Sequence, residues 1–234
     1  MIDGIIRLLF VGNSLTAAND LPATVAALAK AAGARVECTA IAKANFSLED
    51  HWNDGEARRA IARGGWTFVV LQQGPSALPE SRVLLEAYVA RFDRLIRDAG
   101  ARTAVYMVWP SADRGGDFDG VSRSYRSAAA EAGAVVLPAG DAWRAAWQRD
   151  PSLALYGPDR FHPSPLGSEL AAVVIVQALV GRAPPERALT AASPRQRAAL
   201  LAAAAAVAGG GNGGTGCGGF LIAYPPDRRE RSTP

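Results

Sequence analysis

Short, almost wholly apolar runs alternate along the chain with longer segments in which apolar residues recur every three or four positions. In the first run, residues 5–11, six of the seven positions are apolar, which is typical of a strand covered on both faces. In residues 80–99, apolar side chains such as Val83, Tyr88 and Phe92 recur at near-helical spacing instead. This alternation predicts βαβ units, and therefore an α/β fold with a parallel sheet.

The pattern predicts five strands and seven helices before residue 209. Strands are expected at residues 5–11, 35–42, 66–72, 102–109 and 134–137. Helices are expected at residues 21–32, 54–63, 80–99, 120–132, 142–149 and 165–180, and an alanine-rich helix of about three turns follows Ser193. Asp20 is of a residue type that favours the N-cap, so we expect it to cap the first helix.

A glycine-rich run follows the last predicted helix. Eight of the eleven residues in 209–219 are glycine, so this run cannot bury apolar surface and would lose much entropy on ordering. Residues 211–216 match the dinucleotide-binding pattern G-x-G-x-x-G, but they follow a predicted helix, whereas that pattern follows a strand and opens a helix. We therefore expect one α/β domain over residues 1–208 and a flexible tail over residues 209–234.

Composition excludes several classes of function. Hydrophobic residues make up 49% of the 234 residues and charged residues 20%, which is the balance of a globular protein. The net charge is +3, but the basic residues, mostly arginines, are scattered among acidic ones, so no nucleic-acid partner is expected. No apolar stretch reaches the roughly 20 residues that cross a bilayer, and no export signal is recognised. We expect no membrane association and a cytoplasmic location.

The counts of cysteine and histidine limit the chemistry further. Two cysteines, Cys38 and Cys217, are too few for a disulfide framework or a thiolate metal cage. The two histidines, His51 and His162, exclude a three-histidine metal site. Any mechanism that depends on histidine must use one of these two residues, and no metal ligands are predicted.

The loop after the first predicted strand carries a candidate nucleophile. Residues 10–16 read Phe-Val-Gly-Asn-Ser-Leu-Thr, which places Ser14 on the turn between a strand and a helix. A serine in that position is exposed and is surrounded by backbone N–H groups. Gly12 permits the tight turn. The alternative is that Asn13 and Ser14 only cap the helix that follows.

A second segment, just before the last apolar helix, pairs a carboxylate with a histidine. Asp159 stands three residues before His162, so that one turn can present both side chains, and the acid can orient the imidazole ring. Pro163 and Pro165 stiffen this segment. The alternative is a surface Asp–His pair followed by a serine cap.

A third segment lies at the end of the third predicted strand. Gln72 and Gln73 place two side-chain amides there, followed by Gly74 and Pro75. Amide donors at the end of a strand could stabilise a developing oxyanion, although polar residues are common at strand exits.

Together the three segments resemble the sequence blocks of the SGNH (GDSL-type) esterase and lipase hydrolases, over roughly residues 9–170. Residues 12–15 are similar to the G-D-S-L block that carries the nucleophile, and Asp159 and His162 are similar to the D-x-x-H block. The resemblance implies a flavodoxin-like three-layer α/β/α sandwich with a central five-stranded parallel sheet. It also implies a catalytic triad of Ser14, His162 and Asp159 that needs no metal or organic cofactor.

The resemblance implies an oxyanion hole as well. The Ser14 N–H is one donor, and Gln73 is the expected side-chain donor because Gln73 and Gly74 are similar to the Q-G-E pattern of carbohydrate acetylesterases. Gln72 is an alternative to Gln73. A further family block, which corresponds to residues 44–51 here, lacks the glycine usual in the family, so we assign its N–H donor to Asn45, with Ala44 as an alternative.

Three further residues are expected to contact substrate. Asn13 stands beside the nucleophile, where the family usually has aspartate, and Gln72 stands at the end of the third strand. Trp109, at the end of the fourth predicted strand, could wall the pocket or belong to the core. His51 could line the pocket, but we favour a surface or supporting role for it.

The expected function is hydrolysis of short-chain, acetyl-type esters of carbohydrates or other small alcohols through an acyl-enzyme. A small-molecule ester is thus the expected partner. One alternative is an SGNH-fold protein that binds acylated carbohydrate without cleaving it, and another is an acyltransferase or thioesterase. The sequence leaves the oligomeric state open.

Overall fold

A computed structural model describes residues 4–208, which build a five-stranded sheet flanked by two groups of helices. Strands β1 to β5 are Ile6–Gly12, Val36–Ala42, Phe68–Leu71, Arg102–Met107 and Val135–Pro138. Helices α1 to α9 are Ser14–Ala17, Leu21–Ala31, Leu48–Asp54, Glu56–Ala62, Pro79–Asp98, Phe118–Ala132, Ala139–Arg149, Pro165–Val180 and Pro194–Ala208. Short 3₁₀ helices lie at Ala18–Asp20, Ala112–Asp117 and Glu186–Ala188.

The sheet is parallel throughout, with strand order β2-β1-β3-β4-β5. Each of the first four strands is followed by helices that cross over to the next strand, which is the connection that parallel strands require. In the register, Leu9 of β1 lies between Thr39 of β2 and Val69 of β3. All four residues of β3 are buried, as expected for a strand covered on both faces. The flavodoxin-like α/β/α sandwich predicted from the sequence is confirmed.

The strand order reverses direction at β1, because the chain first goes to β2 on one side and then returns to β3 on the other. In open parallel sheets, the crevice at the carboxyl ends of the strands beside such a reversal is the usual place for a ligand site. The loops after β1 and β3 meet at this edge, and they carry Ser14 and Gln73 respectively.

The helices form one group on each face of the sheet. Helices α3, α4, α5 and α6 contact one another in one group, and α2, α7, α8 and α9 do so in the other. Helix α8 is buried on almost every side, because it packs against α2, α7, α9 and β5. This burial explains why its sequence carries almost no polar face.

The sequence located most elements to within a few residues, with one clear error. The single helix expected at residues 54–63 is preceded by a separate helix, α3, over residues 48–54, which is capped by Ser47 and Asp50 in a reciprocal capping box. Gly55, with φ of 80°, separates α3 from α4. The expected cap at Asp20 is wrong: the residue is left-handed, with φ of 49°, and its side chain makes no cap hydrogen bond.

Other differences concern element ends. Strand β3 is shorter than predicted because residues 66, 67 and 72 lie outside the ladder, and Trp109 lies beyond the end of β4. Helix α9 has 15 residues, about one turn more than expected. The glycine-rich run and the rest of residues 209–234 lie outside the described residues. No helix within residues 4–208 is long and apolar enough to cross a membrane.

Candidate active site

The turn after β1 presents Ser14 at the first position of α1. Asn13 caps this short helix, and its Oδ1 accepts a hydrogen bond of 3.1 Å from the N–H of Leu15. Gly12 ends β1 in a space that admits no side chain: a Cβ there would lie 2.4 Å from Thr16 Oγ1 and 2.5 Å from Gln72 Oε1. The close approach of these two side chains, rather than an unusual φ angle, is why this position requires glycine.

Gln72 holds the same turn from inside the protein. Its Oε1 accepts hydrogen bonds from Asn13 N at 2.9 Å and from Thr16 Oγ1 at 2.7 Å. Its Nε2 donates to Asn13 Oδ1 at 3.0 Å and to the carbonyl of Gln73 at 2.6 Å. The side chain is fully buried. The expectation that Gln72 contacts substrate is therefore wrong for this structure; every polar atom of its amide is bonded within the protein.

The structure brings Ser14, His162 and Asp159 into one hydrogen-bonded chain. His162 Nε2 lies 2.8 Å from Ser14 Oγ, and His162 Nδ1 lies 2.5 Å from Asp159 Oδ2. A carboxylate only accepts, so Nδ1 carries the proton of the neutral ring, which leaves Nε2 free to accept from the Ser14 hydroxyl. The hydrogen bond from His162, followed by one from the Phe161 N–H, holds the pKa of Asp159 below its usual range.

The loop that carries His162 is anchored within itself and to its neighbours. Asp159 Oδ1 accepts the backbone N–H groups of Phe161 and His162 at 3.1 and 3.0 Å. The carbonyl of His162 accepts a 2.7 Å hydrogen bond from Gly157 N. Asn19, in the left-handed region with φ of 53°, donates from Nδ2 to the carbonyl of Pro163 at 2.9 Å. The ring position is thus fixed from both sides of the loop.

Trp109 is part of this support and does not line the cavity. It is fully buried and stacks on Trp143, with 3.6 Å between ring centroids. Its Nε1 donates to the carbonyl of Phe161 at 3.1 Å, one residue before His162. Because Trp109 is fully buried, it belongs to the core, and the expected contact with substrate is wrong.

Gln73 borders the cavity, but its amide is already engaged. Its Oε1 accepts from the N–H of Leu48 at 3.2 Å. Its Nε2 donates to Ser76 Oγ at 2.9 Å and to the carbonyl of Ser81 at 3.3 Å, which uses both of its N–H groups. Only 4% of Gln73 is exposed. The expected side-chain donor to an oxyanion is therefore not free in this structure.

Asn45 lies across the cavity from this loop and has a conformation typical of glycine. Its φ is 62°, in the left-handed region, where asparagine is the most readily tolerated residue after glycine. Among the described residues, no acceptor is hydrogen-bonded to the backbone N–H of Asn45 or of Ser14. These two N–H groups are therefore available to a ligand beside the candidate nucleophile. Asn13 also borders the cavity, although its Nδ2 donates to the carbonyl of Phe46.

The role of His51, left open by the sequence, becomes clear. The side chain is fully buried on α3, and its Nε2 lies 2.7 Å from the carbonyl oxygen of Gly12. Burial lowers the pKa of His51, and the nearby Lys43 adds a smaller effect in the same direction. Within residues 4–208, its Nδ1 has no hydrogen-bond partner. His51 is thus a supporting residue beneath the turn that presents Ser14, and it does not line the cavity.

A cavity of about 470 Å³ opens beside Ser14. Its walls come from the loops after β1, β2, β3 and β4, from the start of α5 and from the loop that precedes α8. The lining residues are Asn13, Ser14, Asn45, Phe46, Ser47, Gln73, Gly74, Pro75, Ser76, Ala77, Leu78, Ser81, Leu84, Pro110, Ser111, Arg114, Asp117 and Phe161. Within the described part of the chain, no cluster of three or more His, Cys, Asp or Glu side chains could hold a metal ion.

Fold and site together define a class of protein: a flavodoxin-like α/β/α sandwich with a Ser–His–Asp hydrogen-bonded chain at the carboxyl edge of its sheet. Solved structures with a similar fold match the chain. A protein from Slackia heliotrinireducens assigned to the SGNH hydrolases is 29% identical, with a TM-score of 0.63, over 75% of this chain and 100% of its own. The chain belongs to the SGNH (GDSL-type) hydrolase superfamily.

Two other structures show the fold at lower identity. A DUF4886 family protein from Bacteroides uniformis is 18% identical, with a TM-score of 0.73, over 87% of this chain and 95% of its own. An acetyl xylan esterase is 13% identical, with a TM-score of 0.59, over 74% of this chain and 100% of its own. No protein-family profile and no curated protein matches the sequence.

Proposed function

We propose that the protein is a serine esterase that cleaves small esters through an acyl-enzyme. His162 Nε2 takes the proton of Ser14 Oγ as this oxygen attacks the ester carbonyl carbon. The alcohol leaves with that proton, and Ser14 retains the acyl group. Water then attacks the acyl-enzyme, again losing a proton to His162, which returns it to Ser14 Oγ as the acid departs. Asp159 stabilises the imidazolium in both halves of the reaction.

The observation that carries this proposal is the unbroken chain from Asp159 Oδ2 through the His162 ring to Ser14 Oγ, with contacts of 2.5 and 2.8 Å. The 2.8 Å contact lies within the range expected of a base that can remove the proton from its nucleophile, and the shorter contact with Asp159 orients that base. The reaction needs only these side chains, water and the ester.

The oxyanion would be stabilised by the N–H groups of Ser14 and Asn45. Both are unoccupied in the structure, whereas the amide of Gln73 is saturated by internal partners. A backbone N–H that points at the oxyanion is worth about 3 kcal/mol in the transition state. In this account, Gln73 builds the wall of the cavity, and the left-handed backbone at Asn45 does the work that glycine does in the family pattern.

The expected preference for acetylated carbohydrate depended on the likeness of Gln73 and Gly74 to acetylesterases. Because the Gln73 amide is bonded within the protein, its likeness to acetylesterases no longer favours a carbohydrate. The proposed substrate is therefore an ester of a small alcohol, with no preference for a sugar.

The test of the proposal is proton release from a set of simple esters by the purified protein and by its Ser14→Ala and His162→Ala variants. Each substitution is expected to lower turnover by about 10⁴-fold or more, because nucleophile and base act as one unit. Circular dichroism of each variant checks that the fold is retained. Turnover by a folded Ser14→Ala variant at the wild-type rate would contradict the proposal.

A further inference from the structure

Most polar side chains that line the cavity form hydrogen bonds within the protein. Five of the lining side chains have internal hydrogen-bond partners: Ser47 with Asp50, Gln73 with Leu48, Ser76 and Ser81, Ser76 with Gly74, Ser81 with Leu78, and Ser111 with Asp113. A side chain engaged in this way offers a ligand little unless its internal bond breaks.

The charged groups at the cavity are also paired. Arg114 forms a salt bridge of 2.5 Å with Asp117, and both residues line the cavity. Within the described residues, the carboxamide of Asn45 makes no hydrogen bond, so it and the remaining N–H groups of Arg114 are available to a ligand. A sugar, which carries several hydroxyl groups, would find few free side-chain donors there.

The apolar part of the wall has the opposite character, because it is open. Three large hydrophobic side chains are exposed within residues 4–208: Leu78 at 43%, Leu84 at 38% and Val83 at 63%. They stand together at the beginning of α5. Leu78 and Leu84 line the cavity that contains Ser14, whereas Val83 does not. Two of the three exposed large hydrophobic side chains of the described residues thus line the cavity that contains the candidate nucleophile, and exposed apolar side chains grouped in this way are typical of a binding site.

We propose that the ester cleaved at Ser14 carries an apolar group, an alkyl chain of several carbons or an aromatic ring, that lies on Leu78 and Leu84. This inference rests on the proposed esterase function and specifies its substrate class. The aromatic rings of Phe46 and Phe161, with Pro75 and Ala77, complete the apolar wall. Burying an apolar group there removes exposed leucine surface from water and leaves no ligand hydroxyl without a partner.

The test compares four esters in a proton-release assay that needs no chromogenic group: ethyl acetate, ethyl hexanoate, hexyl acetate and a xylose monoacetate, an acetylated xylose that keeps its other hydroxyl groups. Ethyl hexanoate and hexyl acetate place the same alkyl chain on the acyl side or the alcohol side. We expect kcat/KM for at least one of them to exceed that for ethyl acetate by about tenfold or more, with acetylated xylose no better than ethyl acetate. A preference for acetylated xylose would overturn the proposal.

Leu84→Ser and Val83→Ser form a matched pair on the same turn of α5. We expect Leu84→Ser to lower the preference for the hexyl or hexanoyl ester over ethyl acetate by about tenfold, and Val83→Ser to leave it within about twofold. Equal effects of the two substitutions would contradict the placement of the apolar group on Leu84.

Binding separates this proposal from the esterase function. Isothermal titration calorimetry measures the binding of hexyl acetate to the Ser14→Ala protein, with acetylated xylose as the comparison ligand. We expect Leu84→Ser, added to this variant, to weaken the binding of hexyl acetate, and Val83→Ser to leave it unchanged. This result would support the apolar site even if the wild-type protein hydrolysed no ester. In that case the proposed function would fail and the proposed binding site would stand. Tighter binding of acetylated xylose than of hexyl acetate would overturn the proposal in either case.

Discussion

The Nε2 atom of His51 lies 2.7 Å from the carbonyl oxygen of Gly12, two residues before Ser14. This hydrogen bond joins α3 to the turn that presents the candidate nucleophile. Because the Gly12 carbonyl only accepts, the proton of the neutral His51 ring is on Nε2. The same carbonyl also accepts a 3.1 Å bond from Lys43 N, so the end of β1 is held by two donors.

The first prediction concerns the donor at position 51. In His51→Met, a side chain of similar size cannot donate, so the Gly12 carbonyl loses one of its two donors. We expect kcat for the preferred ester to fall about tenfold with KM little changed, because Ser14 is displaced while the cavity remains. His51→Gln, whose amide can donate at nearly the same place, should recover kcat to within about threefold. Equal kcat for the two folded variants would rule out positioning by this hydrogen bond.

The second prediction is acid sensitivity caused by the same buried ring. Burial lowers the pKa of His51 in the folded protein, whereas in the unfolded chain the pKa is about 6.5. As the pH falls below about 6.5, the unfolded chain therefore binds a proton at this position before the folded protein does, and stability is lost. The free energies of unfolding of wild type and His51→Gln can be measured in urea between pH 7.5 and 5. We expect that of wild type to fall more steeply as the pH falls, so that the variant becomes more stable relative to wild type. A difference that is independent of pH would contradict this.

The third prediction tests the space around Gly12. Gly12→Ala would place a Cβ 2.4 Å from Thr16 Oγ1 and 2.5 Å from Gln72 Oε1, and both atoms belong to the buried network beneath Ser14. We expect about 1–3 kcal/mol of destabilisation, and a loss of about 100-fold in kcat as the turn shifts. Gly116→Ala, where an added Cβ meets nothing within 4 Å, is the control and should change neither quantity. Unchanged stability and turnover in Gly12→Ala would show that the turn does not need this close packing.

The fourth prediction distinguishes support from substrate contact at Trp109. Trp109→Phe keeps a ring against Trp143 but loses the hydrogen bond to the carbonyl of Phe161. We expect a loss of about 1 kcal/mol in the free energy of unfolding, together with a lower kcat and an unchanged KM. Trp143→Phe, which loses a bond to Gly167 on α8, should reduce stability without the effect on kcat. A raised KM in Trp109→Phe would instead indicate contact with substrate.

Much of the fold could be predicted because its strands are buried on both faces and therefore read as apolar runs. The strand order required the structure, since it depends on contacts between distant segments. Helix α3 was missed because its sequence, residues 48–54, is largely polar and shows no long apolar period. Its one signal was local: Ser47 followed three residues later by Asp50, a pattern typical of a helix start.

The candidate site also has a part that could be predicted from the sequence and a part that required the structure. Ser14 stood out because it follows the first buried strand, and Asp159 and His162 because three residues separate them in one loop. That these two distant segments form one triad was implied by the family resemblance. The amides of Gln72 and Gln73 were misjudged because the sequence does not show which of their hydrogen bonds are satisfied internally. Asn45 was proposed from the sequence as an N–H donor, but its left-handed backbone, the conformation that suits it to the position where the family pattern has glycine, required the structure.

The central claim, that Ser14 is an activated nucleophile, is tested most directly by a fluorophosphonate probe. Ser14 Oγ would displace fluoride from phosphorus, so intact mass spectrometry should show one adduct per chain, and peptide mapping should locate it on Ser14. Ser14→Ala should give no adduct, and His162→Ala should label far more slowly, because the proton of Ser14 has no acceptor. An unlabelled wild-type protein, or an adduct on another residue that forms equally in Ser14→Ala, would contradict the account.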